Sequence, residues 1–275
     1  MNGASVGFHC PECVAAANAR QRSVTTALGG RVPSKPSVTY ALIAINAGIY
    51  LLGFVLPGTN TSSMAVEFGM IPGAIALGEW WRLITSTFLH GGLLHVLFNM
   101  YVLYLLGPAL ERLLGHGRYL LMYLLAAFGG SVASYLFSPI NVASVGASGA
   151  IFGLMGAILV VGRRFRHDVS QVALLLAINV VIGFVVPGID WRAHFGGALT
   201  GAAAAAVLAY APRTNRLLWQ SLGLLAIFGV LIGLTMLRTA AITDDLLVIP
   251  GVNATEIACE SVVPESEEPC YPWVT

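Results

Sequence analysis

Charge is what this sequence has least of. Asp, Glu, Lys and Arg supply 10% of its 275 residues and leave a formal net charge of +1. No region combines a dense basic run with interleaved aromatics, which excludes electrostatic binding of nucleic acid. Cysteine too is scarce, with four in all. Cys10 and Cys13, next to His9 in "FHCPEC", have the spacing of half a zinc ribbon. A closed structural site needs four ligands, and no second pair follows. The alternative is a reduced pair without metal. Also missing is any sustained period-two alternation, so the long apolar runs are helices rather than strands of a barrel.

What is present is apolar: 57% of the residues are aliphatic, aromatic, Met or Cys. That is the composition of a membrane protein. Polar interruptions leave seven apolar segments, at 38–57, 93–114, 118–137, 148–162, 169–187, 191–210 and 217–237. Crossing a hydrocarbon core of ~30 Å takes about 20 helical residues, and most of these segments suffice. The fourth is short: its 15 residues reach roughly 22 Å at 1.5 Å per residue. The expectation is therefore an all-α, polytopic membrane bundle over residues 38–237. Residues 1–37 precede it, and 238–275 form an acidic tail.

Orientation follows from the basic residues. Arg20, Arg22, Arg31 and Lys35 precede the first span, and Arg112, Arg118, Arg163, Arg164, Arg166, Arg213 and Arg216 fall in every second loop. This pattern puts the N-terminus in the cytoplasm and the C-terminus outside a cell membrane. Residues 1–37 are too polar for a secretory signal, so the first span is expected to direct its own insertion. In the tail, Cys259 and Cys270 lie where disulfides survive, and Asn253 begins a glycosylation sequon if the host performs that chemistry. The tail itself reads as largely unpacked.

Polar residues inside the apolar segments are costly and are functional candidates by default. The second, fourth and sixth spans all start at the outer face. Near those starts stand His95 and Asn99, then Ser148, then His194. The uncharged "FSPINVASVGA" ahead of Ser148 suits irregular backbone dipping to membrane depth, where water reaches the serine. Gly149 with Gly153, and Gly197 with Gly201, are small-xxx-small pairs that let two helices approach closely and bring Ser148 near His194. A base-activated nucleophile requires that proximity.

At a helix start, free N–H groups and the positive end of the dipole favour a developing oxyanion, and Gly146 and Gly149 leave room for a substrate backbone. The simpler reading of Ser148 is an N-cap flanked by packing glycines. His95 and Asn99, four residues apart, lie on one helix face and can donate to one oxygen. Asp190, a turn ahead of His194, reads as an interfacial cap rather than a third catalytic group. Asn46 and Asn179 read as interhelical hydrogen-bonding residues. "GEWWR" reads as an aromatic interface anchor with a lipid-facing cation, Arg82.

Four motifs in order resemble those of the rhomboid intramembrane serine proteases, over about residues 38–237. They are "WWR" with Trp81 and Arg82, "HGGLLHVLFN" with His90, His95 and Asn99, "GASGAIFG" with Ser148, and "AHFGGALTG" with His194. The resemblance implies a six-helix core plus one C-terminal helix, no cofactor, and cleavage of peptide bonds in or beside transmembrane segments of other membrane proteins. It makes Ser148 the nucleophile and His194 the base. It places His95, Asn99 and the Ser148 N–H in an oxyanion hole, has His90 brace the first loop with Trp81 and Arg82 as its signature, and gives Phe152 a stacking role against His194. Two rivals remain. A non-proteolytic rhomboid-like binder of client helices is expected to lack the serine or histidine. A transporter should carry repeated halves or a charged path to both faces. A soluble α/β-hydrolase is excluded, since "GASGA" lacks the second elbow glycine and no strand precedes it.

Overall fold

The computed structural model describes residues 2–3, 8–20, 25–56 and 59–246. Cys259 and Cys270, the Asn253 sequon and the acidic tail beyond Leu246 lie outside the described residues. A two-residue antiparallel pairing of β1 (Asn2–Gly3) with β2 (Phe8–His9) precedes α1 (Pro11–Arg20). Next comes α2 (Ser37–Val55), then a first loop built from α3 (Thr61–Phe68), α4 (Pro72–Ala76) and α5 (Arg82–Thr85). The bundle continues as α6 (Leu93–Leu114), α7 (His116–Phe137), α8 (Ser148–Phe165), α9 (Ser170–Val185), α10 (Trp191–Tyr210) and α11 (Arg216–Leu246).

Six of these helices, α2, α6, α7, α8, α10 and α11, are long and apolar enough to cross a bilayer. The remaining expected span is α9, which at 16 residues covers roughly 24 Å. It, and not the segment starting at Ser148, is the shortest of the seven. The difference arises because α8 continues as helix through Arg163 and Arg164, which the apolar run excludes. Likewise α11 runs to Leu246 and carries Arg238, Asp244 and Asp245 as helix.

Lipid cannot drive helices together as water does, so packing and hydrogen bonding must hold the bundle. Helix α7 is central: Tyr119, Tyr123 and Tyr135 are fully enclosed. Leu94, Val55 and Leu237, by contrast, point outward into the region lipid would fill. The tightest seam joins α8 to α10. A side chain begun at Gly197 would lie 2.0 Å from the Gly149 carbonyl oxygen, and one at Gly201 would lie 2.2 Å from that of Gly153. Backbone thus rests on backbone, and no larger residue fits. The seam extends to α7, where a side chain begun at Gly130 would lie 2.8 Å from the Ala193 carbonyl oxygen and 3.2 Å from Gly149 Cα.

At the other end of the bundle, α2 starts without a side-chain cap of its own. The fully buried Glu111 of α6 supplies one. It accepts the Val38 and Thr39 N–H groups at 2.9 and 2.8 Å and the Thr39 hydroxyl at 2.6 Å. A carboxylate there also meets the positive end of the α2 dipole.

Substituting Gly201→Val should lower stability by about 1–3 kcal/mol through overpacking of the seam. Gly229→Ala, where nothing lies within 4 Å, should leave stability unchanged or slightly raised. Thermal unfolding in detergent checks both, and equal midpoints for the two variants would contradict the seam.

Candidate active site

Successive spans alternate in direction, so the N-terminal ends of α6, α8 and α10 meet at one end of the bundle. There they enclose a cavity of about 540 Å³. His95 and Asn99 reach it from α6, Ser148 from α8 and His194 from α10, with Gly146, Gly149 and Phe152 also lining it. The groups the sequence singled out on three separate helices therefore share one space.

Ser148 is the first residue of α8, and the capping position belongs to Ala147, which makes no side-chain cap. The N-cap reading of the serine fails for that reason. Its hydroxyl is spared for the cavity, and the N–H groups of the first turn have no partner within the helix. Gly146 sets the approach. Its φ of +131° belongs to glycine, and a side chain there would lie 2.8 Å from His95 Nε2 and 3.7 Å from Ser148 Oγ. Those two groups thus flank an open point that only a missing Cβ leaves vacant. The Gly146 N–H donates to the Ser86 carbonyl at 2.9 Å, and Ser144 pairs with Met70, so the strand of loop before the serine is fixed at both ends.

The His194 ring lies face to face with Phe152, centroids 4.0 Å apart and planes 10° from parallel. Gly183 of α9 backs the imidazole: a side chain begun there would lie 3.7 Å from Nδ1. That Nδ1 is buried and has no hydrogen-bond partner. Among the hydrogen bonds of the described residues none joins Ser148 to His194, although both line the cavity. Catalytic hydrogen bonds commonly tighten only when substrate is bound. The amide nitrogen of Asn99 is likewise buried without an acceptor. A buried donor left unpaired is costly, and this one belongs to a residue that lines the cavity.

His90 lies buried just before α6 and packs edge-on against His95 at 5.0 Å. Burial, with His95 adding to it, pushes the His90 imidazole down to about 4, so it is neutral near pH 7. Asp190 caps α10, as its position suggests: Oδ1 accepts the N–H groups of Arg192 and Ala193 at 3.1 and 3.2 Å. Its other oxygen accepts the Ser134 hydroxyl from α7. Sequence reasoning did not find Ser134, because nothing in a one-dimensional pattern pairs two residues 56 positions apart.

Two expectations need correction. Arg82 is not a lipid-facing cation. It is buried, pairs with Glu79, and donates to the Val66 and Gly69 carbonyls at 2.7 and 3.0 Å. Its five donors suit the cluster of carbonyls in the first loop better than lipid does. Trp80 and Trp81 do remain exposed. Asn179 does not bond across helices, since its amide donates to the Leu175 carbonyl on its own helix; the Asn46 amide likewise donates to the Leu42 carbonyl, but the same residue also meets the Tyr123 hydroxyl of α7. Cys10 and Cys13 are exposed and unbridged, and the described residues contain no group of three or more His, Cys, Asp or Glu able to hold a metal. The side chain of His9 lies outside the description.

Comparison with known proteins matches residues 77–211 to the Rhomboid domain. The Bacillus subtilis rhomboid relative YdcA is 38% identical over 175 residues, which cover 60% of this chain and 85% of YdcA. The chain belongs to the rhomboid family. Rhomboid protease GluP of the same organism is 42% identical over 180 residues, covering 63% of this chain and 35% of GluP. RHOMBOID-like protein 4 of Arabidopsis thaliana is 42% identical over 130 residues, covering 45% of this chain and 32% of the relative. The chain thus spans about a third of the length of two of these rhomboids and most of the third.

Asp190→Ala should cost about 1 kcal/mol by removing the α10 cap. Asp190→Asn, which keeps an acceptor for the same N–H groups, should cost less than half of that. Denaturant titration in mild detergent checks the difference, and equal losses would contradict the capping role.

Proposed function

We propose that the protein is an intramembrane serine endopeptidase that cuts peptide bonds in or near the transmembrane segments of other membrane proteins. What supports the reading is the convergence of Ser148, His194, His95 and the unpaired Asn99 amide on one cavity at three helix ends. Membership of a family in which GluP is named a protease supports it as well.

In this reading Ser148 Oγ attacks the carbonyl carbon of a locally unwound substrate helix while His194 takes the hydroxyl proton. The carbonyl electrons move to oxygen, and the resulting oxyanion accepts hydrogen bonds from Asn99, His95 and the Ser148 N–H. Collapse expels the substrate amine, which receives the proton from His194, and leaves an acyl-enzyme. Water then enters the cavity, gives a proton to His194 and attacks the ester, and the acid product leaves as Ser148 regains its hydrogen. No carboxylate need orient the base: both Asp190 oxygens are engaged by the α10 N-terminus and Ser134. Stacking on Phe152 and the α9 backbone take that role, and a Ser–His dyad suffices. Substrates are single-span proteins with a helix-weakening segment near the outer membrane boundary and a small residue before the cut, as the resemblance implies. The N-terminus faces the cytoplasm and the site opens toward the outer face.

Ser148→Ala and His194→Ala should each abolish cleavage of a model transmembrane substrate in proteoliposomes. Asn99→Ala should lower the rate about 10²-fold, the loss typical of one oxyanion donor. Cleavage by Ser148→Ala at the wild-type rate would end the assignment.

A further inference from the structure

Two arginines at the end of the bundle opposite the cavity have no counter-charge among the described residues. Arg118 lies in the first turn of α7 and Arg216 opens α11, so both stand at the positive ends of helix dipoles, where a cation is disfavoured. Each comes within 3.5 Å of the point where a side chain on Gly29 would begin, so the two guanidinium groups converge on one spot of the segment ahead of α2. Arg216 is the charged neighbour that bears on Arg118. Among the described residues the ion pairs are Arg82 with Glu79 and His116 with Glu111, and neither involves this pair.

The rest of the cluster is neutral and well satisfied. Arg118 Nε donates to Gln220 Oε1 at 2.9 Å, and the buried Gln220 amide donates to the Leu28 and Leu208 carbonyls at 3.1 and 2.9 Å. One Arg216 nitrogen donates to the Ala27 carbonyl at 3.0 Å. These bonds hold the two side chains in place, and among the described residues nothing else accepts from either guanidinium. Beside them Leu217, Leu218 and Trp219 in the first turn of α11 are exposed and apolar. A fixed pair of guanidinium forks is suited to phosphate oxygens, and an apolar surface next to it is suited to acyl chains.

We propose that Arg118 and Arg216 bind the phosphate of an anionic glycerophospholipid, whose chains lie along the start of α11. The lipid fastens residues 26–30 to α7 and α11 by neutralising two like charges that no described residue opposes.

The test is native mass spectrometry and thermal unfolding of the full chain in neutral detergent, with phosphatidylglycerol or phosphatidylcholine added. Wild type should retain phosphatidylglycerol preferentially and unfold at a higher temperature with it. Arg118→Gln/Arg216→Gln should lose about thirtyfold in phosphatidylglycerol affinity, on the scale set by two surface cations. Arg213→Gln, an exposed cation outside the cluster, should bind as wild type does. If the double variant fails to fold, Arg216→Gln alone should lose about fivefold. Unchanged affinity in these variants, or an equal loss in Arg213→Gln, would overturn the site. Stabilisation by glycerol 3-phosphate or inorganic phosphate equal to that by the lipid would overturn the lipid as its ligand.

Discussion

The seam between α8 and α10 is the constraint on which the rest of the molecule depends. In lipid no hydrophobic force draws two apolar helices together, so they associate only as closely as their surfaces allow. Gly149, Gly153, Gly197 and Gly201 remove every side chain from that contact, and carbonyl oxygens of one helix rest on α-carbons of the other. Ser148 and His194 stand together at one end of this seam. A spacer of one methyl group between the backbones would move the alcohol and the imidazole apart by an amount that matters for proton transfer.

A second set of contacts fixes what surrounds that pair. Buried Arg82 gathers the carbonyls of the first loop, the Ser86 carbonyl holds Gly146, and Asp190 ties the start of α10 to Ser134 on α7. These bonds satisfy the irregular backbone at the mouth of the cavity, as any non-helical segment at membrane depth requires. What they leave unsatisfied is informative: Asn99 retains a buried donor with no acceptor, and His194 a ring nitrogen with no partner. The His90 ring nitrogens and the Tyr119 and Tyr123 hydroxyls are unpaired as well, so it is their place on the cavity that sets Asn99 and His194 apart.

Most of the bundle was legible because its signals are local. Apolar run length gave seven helices, and glycine spacing at 149/153 and 197/201 pointed to the pair that packs. The bounds of α8 and α11 were less legible, since arginines and aspartates at a membrane boundary end an apolar run without ending a helix. Arg82 was misread because one cation beside two tryptophans fits an interface anchor as well as a loop brace. Only the fold brings the Val66 and Gly69 carbonyls to it. Ser134 and Glu111 were invisible for a related reason: their partners, Asp190 and the start of α2, lie 56 and about 70 residues away in sequence. The role of each candidate site residue came from motif resemblance together with depth, and its chemistry awaits a direct reading.

That reading is the site of covalent modification by a fluorophosphonate, mapped by peptide mass spectrometry on the full chain in a bilayer. If the α8–α10 seam delivers the imidazole to the alcohol, the adduct forms on Ser148 alone and is lost when His194 is replaced by Ala. An adduct on another serine, or one on Ser148 formed as fast without His194, would contradict the account.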